Sequence, residues 1–285
     1  MSESEQGDAE GGAEKGNPVD GANRIELVSH FVRHRNVMVA RGDFGPLFED
    51  HYLHLMQSGQ KRLTPDQDTQ LKDALAALVL HLMSNPRDLM TAWTLNFNAP
   101  PMNLFVTGDS EEGKVVGRVF TEDVKVHPRP LFYAQGSRRG ARDRQSTVEF
   151  EGDDLFRIVE QYYTQSEQFP ARLFRLEGDE AAMLTAHPDA DLEWFQALTA
   201  EQVEGLEKDE ELGFLERRSY HFACGCRLIT IVKVLINTFG RDPEKIFAGE
   251  DRLQIRCPRC AGSFELTPEL LTDALRLIDG EGAAE

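Results

Sequence analysis

The four cysteines of the chain stand as two close pairs, Cys224-Gly225-Cys226 and Cys257-Pro258-Arg259-Cys260, with thirty residues between them. Deprotonated sulfur is a soft ligand, and four such groups in two pairs suit tetrahedral zinc, which takes Zn–S distances of ~2.3 Å. The expected site is therefore one Zn²⁺ per chain, in the reduced state, held by Cys224, Cys226, Cys257 and Cys260. The second pair has zinc-knuckle spacing, while the single residue between Cys224 and Cys226 is a tighter gap than common zinc ribbons use. Such a site can be purely architectural or can respond to oxidants, and spacing alone leaves both open. A thioredoxin-like reading of the C-x-x-C pair fits less well, because no βαβ unit precedes it and a second pair is present.

Other chemistry-bearing groups carry less. His30 and His34 stand four apart, but no glutamate follows the first histidine as a catalytic zinc helix requires, so surface histidines are expected. His51 and His54 are read the same way. Arg138, Arg139, Arg142 and Arg144 are expected to form a solvated tip between two strands. Carboxylates abound without a pairing, and neither a nucleophile elbow nor a phosphate loop is present, so no catalytic residue is assigned and no enzyme is expected.

The elements that must position the cysteines can be read from periodicity. A strand is expected at 36–40, then a helix at 44–56 with an apolar stripe of Leu47, Phe48, Tyr52 and Leu55. Thr64, Pro65 and Gln67 make a capping box with proline at the first helical position, followed by the apolar face Leu71, Ala74, Leu75, Leu78, Val79 and Leu82. Strand-like runs at 89–97, 102–107, 115–121, 130–133 and 147–150 imply a mostly antiparallel sheet. A helix over 154–164 and short strands at 171–176 and 181–185 complete an α+β main domain, 23–188, with the sheet packed against helices. Residues 189–220 look like a helical linker, with a capping box at Thr199 and Gln202 before Val203, Leu206, Leu212 and Leu215. The last part, 221–285, is expected to be a small zinc-binding α+β domain: a strand into Cys224, a helix at 227–239, a short helix capped by Asp242, strands on either side of the second pair, and a final helix from Thr267. The 228–236 stretch is apolar nearly all round, which predicts burial against the main domain or across a dimer.

Composition sets further bounds. Forty per cent hydrophobic and 28% charged residues are globular proportions, and no apolar run approaches the ~20 residues that span a bilayer. Residues 1–22 hold six carboxylates and one lysine, which predicts a disordered acidic tail without the apolar core of a signal peptide. The net charge of −18 opposes binding to nucleic acid or anionic membrane, and residues 224–285 are themselves acidic. Confinement of the cysteines to the last 62 residues is unlike a secreted disulfide framework and points to a reducing cytoplasm.

With these residues in view, the chain resembles the bacterial family of redox-regulated, zinc-thiolate chaperones known as the 33-kDa heat-shock proteins. The resemblance rests on C-x-C followed at this distance by C-x-x-C near the C-terminus. It rests also on Glu160-Gln161-Tyr162-Tyr163, Ser166-Glu167-Gln168-Phe169-Pro170 and Arg172-Leu173-Phe174, which are similar to the family's helix-to-strand signature. Phe169 and Ala171 stand where leucine and threonine are usual, the linker is short, an apolar helix replaces a polar one after Cys226, and Asn98-Ala99-Pro100-Pro101 replaces a glycine-rich turn, as in a divergent member. The resemblance implies an ATP-independent holdase of the stress response, inactive while reduced and zinc-bound. Oxidation of Cys257 with Cys260 and of Cys224 with Cys226 to disulfides would release zinc, unfold the C-terminal region and expose a surface for unfolded or oxidatively damaged client proteins. It implies a homodimer in the active form. The alternative is a constitutive, zinc-stabilised interaction module without a switch.

Overall fold

The computed structural model describes residues 23–281; the segment expected to be an acidic tail lies outside the described residues. Within them, 23–225 with 257–261 form one compact unit, and 226–256 with 262–281 form a second.

The main unit begins with strands β1 (Arg24–Val32) and β2 (Val37–Asp43), helices α1 (Gly45–Gln57) and α2 (Pro65–Met83), and the strands β3 (Leu89–Asn98), β4 (Pro101–Asp109), β5 (Lys114–Phe120), β6 (Leu131–Arg138) and β7 (Arg144–Glu149). Helix α3 (Leu155–Tyr162), a π-helical turn (Tyr163–Glu167), strands β8 (Ala171–Arg175) and β9 (Glu180–Ala186), short helices α4 (Leu192–Ala197), α5 (Ala200–Glu204) and α6 (Leu206–Asp209), and strand β10 (Leu212–Phe222) follow. The ten strands form one sheet in the order β7-β6-β3-β4-β5-β10-β1-β2-β9-β8, antiparallel at every neighbour except β10 beside β5. The α+β class expected from periodicity is the class observed, with a mixed, mostly antiparallel sheet.

The capping box forms as expected: Thr64 accepts from Gln67 N, and Gln67 reaches back to the N-cap. The predicted apolar face of α2 is buried throughout, and from Ala74 to Met83 every residue is buried. That depth needs close approach to the sheet. A Cβ on Gly108 of β4 would stand 2.6 Å from Leu82 Cδ1, and one on Gly117 of β5 would stand 2.8 Å from Leu71 Cδ1, so only glycine leaves room for the two leucines. On the other side of the core, Val37 and Val39 of β2 and Ala182, Leu184 and Ala186 of β9 pack with Phe195, Leu198, Val203 and Leu206 from the short helices.

Two expectations are corrected. The helical reading of 189–220 holds for α4, α5 and α6, including the Thr199–Gln202 capping box, but the chain from Leu212 onward is the eleven-residue strand β10. Its nine-pair antiparallel ladder with β1 outweighs the weak helical spacing of Leu212 and Leu215. β1 itself, whose Ile25, Leu27 and Ser29 alternate inward, is a strand that precedes the one expected at 36–40. Lastly, α1 buries only part of the stripe expected of it: Leu47 is inside and Phe48 and Leu55 are half-buried, but Tyr52 is exposed, and Asp50, His51 and His54 are inside as well.

Arg218 ties β10 to the end of α2. Its Nη1 donates to the carbonyls of Leu82 (2.8 Å) and Asn85 (2.9 Å) and to Ser110 Oγ (3.0 Å), and its Nη2 pairs with Glu216. The last carbonyls of a helix lack intrahelical donors, and a guanidinium satisfies them while complementing the helix dipole.

The second unit contains α7 (Leu228–Phe239), α8 (Pro243–Phe247), the hairpin β11 (Leu253–Arg256) and β12 (Ser263–Leu266), and α9 (Pro268–Glu281). Asp242 caps α8 through Glu244 N, as expected. Its core is small: Val232, Ile246, Phe247, Leu266, Leu271 and Ala274 are fully buried. The apolar helix α7 is buried less than its sequence predicts, since Val232 alone is fully covered and Val234 and Phe239 are exposed. No helix among the described residues is long and apolar enough to cross a membrane.

Candidate metal centre

β10 delivers the first cysteine pair. Its last residues run parallel to β5 for two rungs, with His221 N donating to Gly113 O (2.8 Å) and Ala223 N to Val115 O (2.9 Å), and Phe222 is buried. The chain then reverses through Gly225 at φ +63°, a left-handed conformation that costs glycine nothing and lets Cys224 and Cys226 face the same point. β11 leads to the second pair, where Ala261 N closes the turn on Cys257 O at 2.8 Å.

All four Sγ atoms lie within 4.8 Å of one another, every cysteine is buried, and none is in a disulfide. Cys224 Sγ and Cys257 Sγ are 3.7 Å apart. Sulfurs at ~2.3 Å from a tetrahedral zinc stand about 3.8 Å from each other, so the donor set and the spacing fit that ion. The sequence singled out these four residues, and the structure brings all four together. Among the described residues they are the one group of three or more potential ligands so placed.

The backbone around the sulfurs is held by side chains that the sequence reading passed over. His54 Nε2 lies 2.7 Å from Cys260 O, and because a carbonyl only accepts, this nitrogen carries the proton. Gln60 Nε2 donates to the same oxygen at 3.3 Å. Arg118 Nη1 donates to Cys257 O (3.5 Å) and Arg259 Nη2 to Cys224 O (3.3 Å), which fastens the backbone at one cysteine of each pair. Phe222 packs its ring against both His51 and His54, each with centroids 5.5 Å away. Burial pushes His51 down to about 4, so it is neutral at physiological pH. These two histidines, expected at the surface, are 3% and 2% exposed, because what they meet lies far along the chain, Phe222 for both and Cys260 for His54. The only local signal was that Asp50, His51 and His54 share one helical face.

The remaining candidates lie elsewhere. His30 is on β1 and His34 is an exposed residue of the following turn, and neither joins a ligand cluster. Arg138, Arg139 and Arg144 pair with Asp88, Glu111 and Glu167 around the β6–β7 turn, as a solvated tip should. The Glu160–Phe174 signature is structural: Glu160 Oε1 accepts from Leu173 N at 2.9 Å, Tyr162 donates to Glu167 at 2.7 Å, and Arg172 caps the end of α4 through the carbonyls of Phe195, Gln196 and Leu198.

No protein-family model matches the chain. It is 28% identical over 157 residues to a 33 kDa chaperonin of Edwardsiella ictaluri and 27% identical over 146 residues to one of Photobacterium profundum. These alignments cover 46% and 42% of this chain, and the chain spans about half the length of the curated relatives it matches (53% and 50%). Among solved structures, the fold matches a 33 kDa chaperonin, a heat shock protein 33 homologue, of Thermotoga maritima with a TM-score of 0.66 at 13% identity, over 90% of this chain and 99% of that one. The chain is thus similar to 33 kDa chaperonins, in sequence over about half of their length and in fold over most of its own.

Proposed function

We propose that the chain is a redox-regulated, ATP-independent holdase of the cytoplasm, in which Cys224, Cys226, Cys257 and Cys260 bind zinc when reduced and form two disulfides when oxidised. The observation that carries this reading is the buried cluster of four cysteines, none in a disulfide, with sulfurs within 4.8 Å. Zinc supplies a cross-link that can be worth ~10–16 kcal/mol of apparent binding energy, available as folding energy to a small domain. The second unit, with so small a core cluster, has too little apolar burial to stand well without one.

Each pair of thiols gives up two electrons and two protons to one peroxide, forming one S–S bond and two waters, so two equivalents oxidise the site. Sulfurs that close to ~2.05 Å in a disulfide no longer present thiolates to a metal. The second unit then unfolds and releases apolar side chains of α7, among them Leu228, Leu235 and Ile236, which join the already exposed Val234 and Phe239. Such a surface holds unfolded or oxidatively damaged proteins through the non-directional hydrophobic effect and needs no nucleotide.

The test follows zinc release with a colorimetric chelator as reduced protein is treated with peroxide or hypochlorite, with protection of a heat-aggregating client assayed in parallel. Zinc release, two disulfides and a gain in protection, with a reductant restoring the thiols, are expected. Retention of the metal, or its loss without protection, would leave a constitutive zinc-stabilised module.

A further inference from the structure

Helix α1 turns three polar side chains inward beside Leu47. It leaves Tyr52, Leu53 and Met56 in solvent and buries Asp50, His51 and His54, giving up apolar burial to place polar groups inside. Each inward group with a hydrogen bond uses it to fasten a distant segment. Asp50 accepts from Asn23 N (3.0 Å) and Asn23 Nδ2 (2.9 Å). His54 donates to Cys260 O at 2.7 Å, and Gln60, just past the helix end, donates to the same oxygen at 3.3 Å while also donating to Ser58 Oγ at 2.8 Å. The turn so held, Cys257–Ala261, belongs to the main unit, although the strands on either side of it belong to the second.

We infer that His54 and Gln60 form a latch on the Cys260 carbonyl that sets how fast the Cys257–Cys260 pair becomes accessible, and so sets the threshold of the switch. They are positioning residues, acting through Cys260. The inference rests on the function proposed above for its biological meaning but not for its test. Cys260 is fully buried, and an oxidant, alkylating agent or chelator reaches its sulfur only after the turn lifts from α1. Lifting breaks both hydrogen bonds to the carbonyl. It also leaves the buried Nε2–H of His54 without an acceptor, which raises the cost of the open state beyond the loss of a solvent-exposed bond. The latch therefore slows opening without touching a sulfur atom.

The experiment uses the full, reduced, zinc-loaded chain without oxidant. Zinc transfer to excess 4-(2-pyridylazo)resorcinol is timed, and alkylation by N-ethylmaleimide is followed cysteine by cysteine by mass spectrometry. His54→Phe fills the site but cannot donate; His54→Gln places an N–H near the position of Nε2; Gln60→Ala removes the second donor at a half-buried site. His54→Phe should speed both zinc transfer and alkylation of Cys257 and Cys260 about 5- to 10-fold, the factor expected for one buried hydrogen bond. Gln60→Ala should speed them about 2- to 3-fold, as for a weaker bond, and His54→Gln should return the rate to near that of the unaltered chain. Equal rates in all four proteins, or a glutamine variant as fast as the phenylalanine one, overturn the latch. Should His54→Phe not fold, Gln60→Ala and His54→Gln decide the matter. An unaltered chain that loses zinc to oxidant without holding a client refutes the proposed function and leaves the latch standing on its own rates.

Discussion

Replacing Arg218 by methionine should destabilise the main unit by about 4 kcal/mol. The side chain is only 9% exposed, so solvent screens its interactions little. Methionine keeps most of the aliphatic packing and removes three hydrogen bonds, to Leu82 O, Asn85 O and Ser110 Oγ, together with the pair to Glu216. Bonds from a charged donor contribute roughly 1.5–3 kcal/mol each but do not add when one guanidinium makes them all, and breaking a buried ion pair costs about 3–5 kcal/mol. Both tryptophans, Trp93 and Trp194, belong to the main unit, so tryptophan fluorescence reports its unfolding separately from that of the second unit. With a urea slope of about 3 kcal/mol per molar, the midpoint should fall by about 1.3 M at unchanged slope. Arg218→Lys, which keeps the charge but not the planar fork, should lose about half as much. A midpoint that moves by less than about 0.3 M in the methionine variant would refute the view that Arg218 fastens β10 to α2.

Acid should weaken the main unit through His51 and His81, both of which burial holds near 4. Between there and the unfolded value of ~6.5 the unfolded chain binds protons that the folded chain does not, so stability falls with pH across that window, by about 3 kcal/mol per histidine at its lower end. In urea midpoints taken from pH 7 to 4, His81→Gln should flatten this limb by about half; an unchanged limb contradicts the assignment. Gly108→Ala should cost about 2 kcal/mol by fluorescence-detected unfolding, because its Cβ would press on Leu82 Cδ1 and on Val115 Cγ1 at 2.9 Å in a full core. Cys257→Ser should bring bound zinc from one per chain to nearly none and reduce the far-ultraviolet helical signal of α7, α8 and α9, with tryptophan fluorescence unchanged. Retention of that helicity without metal would show that the second unit does not depend on it.

The parts of the molecule legible in its sequence are those whose signals are local. The Thr64–Gln67 capping box and the pairing of the cysteines each act over a few residues; the box forms as expected, and the four cysteines singled out come together. What escaped is fixed by partners far along the chain. β10 is a strand because β1 lies beside it, some 190 residues earlier, as in the pairing of Arg24 with His221. The polar part of the inward face of α1 follows from Cys260 and Asn23, and periodicity, which assumes that apolar groups turn inward, missed it. His54 and Gln60 could be found only once the fold had brought the second cysteine pair to the end of α1.

The place of β10 in the sheet gives force a direction. Five strands lie to one side of it and four to the other, and it is joined to β5 by two rungs but to β1 by nine. Those two rungs sit at its C-terminal end, immediately before Cys224. Tension applied at the first cysteine pair would load this strand as a zipper is loaded, one rung after another from the weakest end, rather than in shear along its length. Small displacements there would part the sheet along the β5 side while the β1 ladder held, opening a seam bounded by two unpaired strand edges. A mechanical reading of the molecule thus locates its weakest line beside the first cysteine pair.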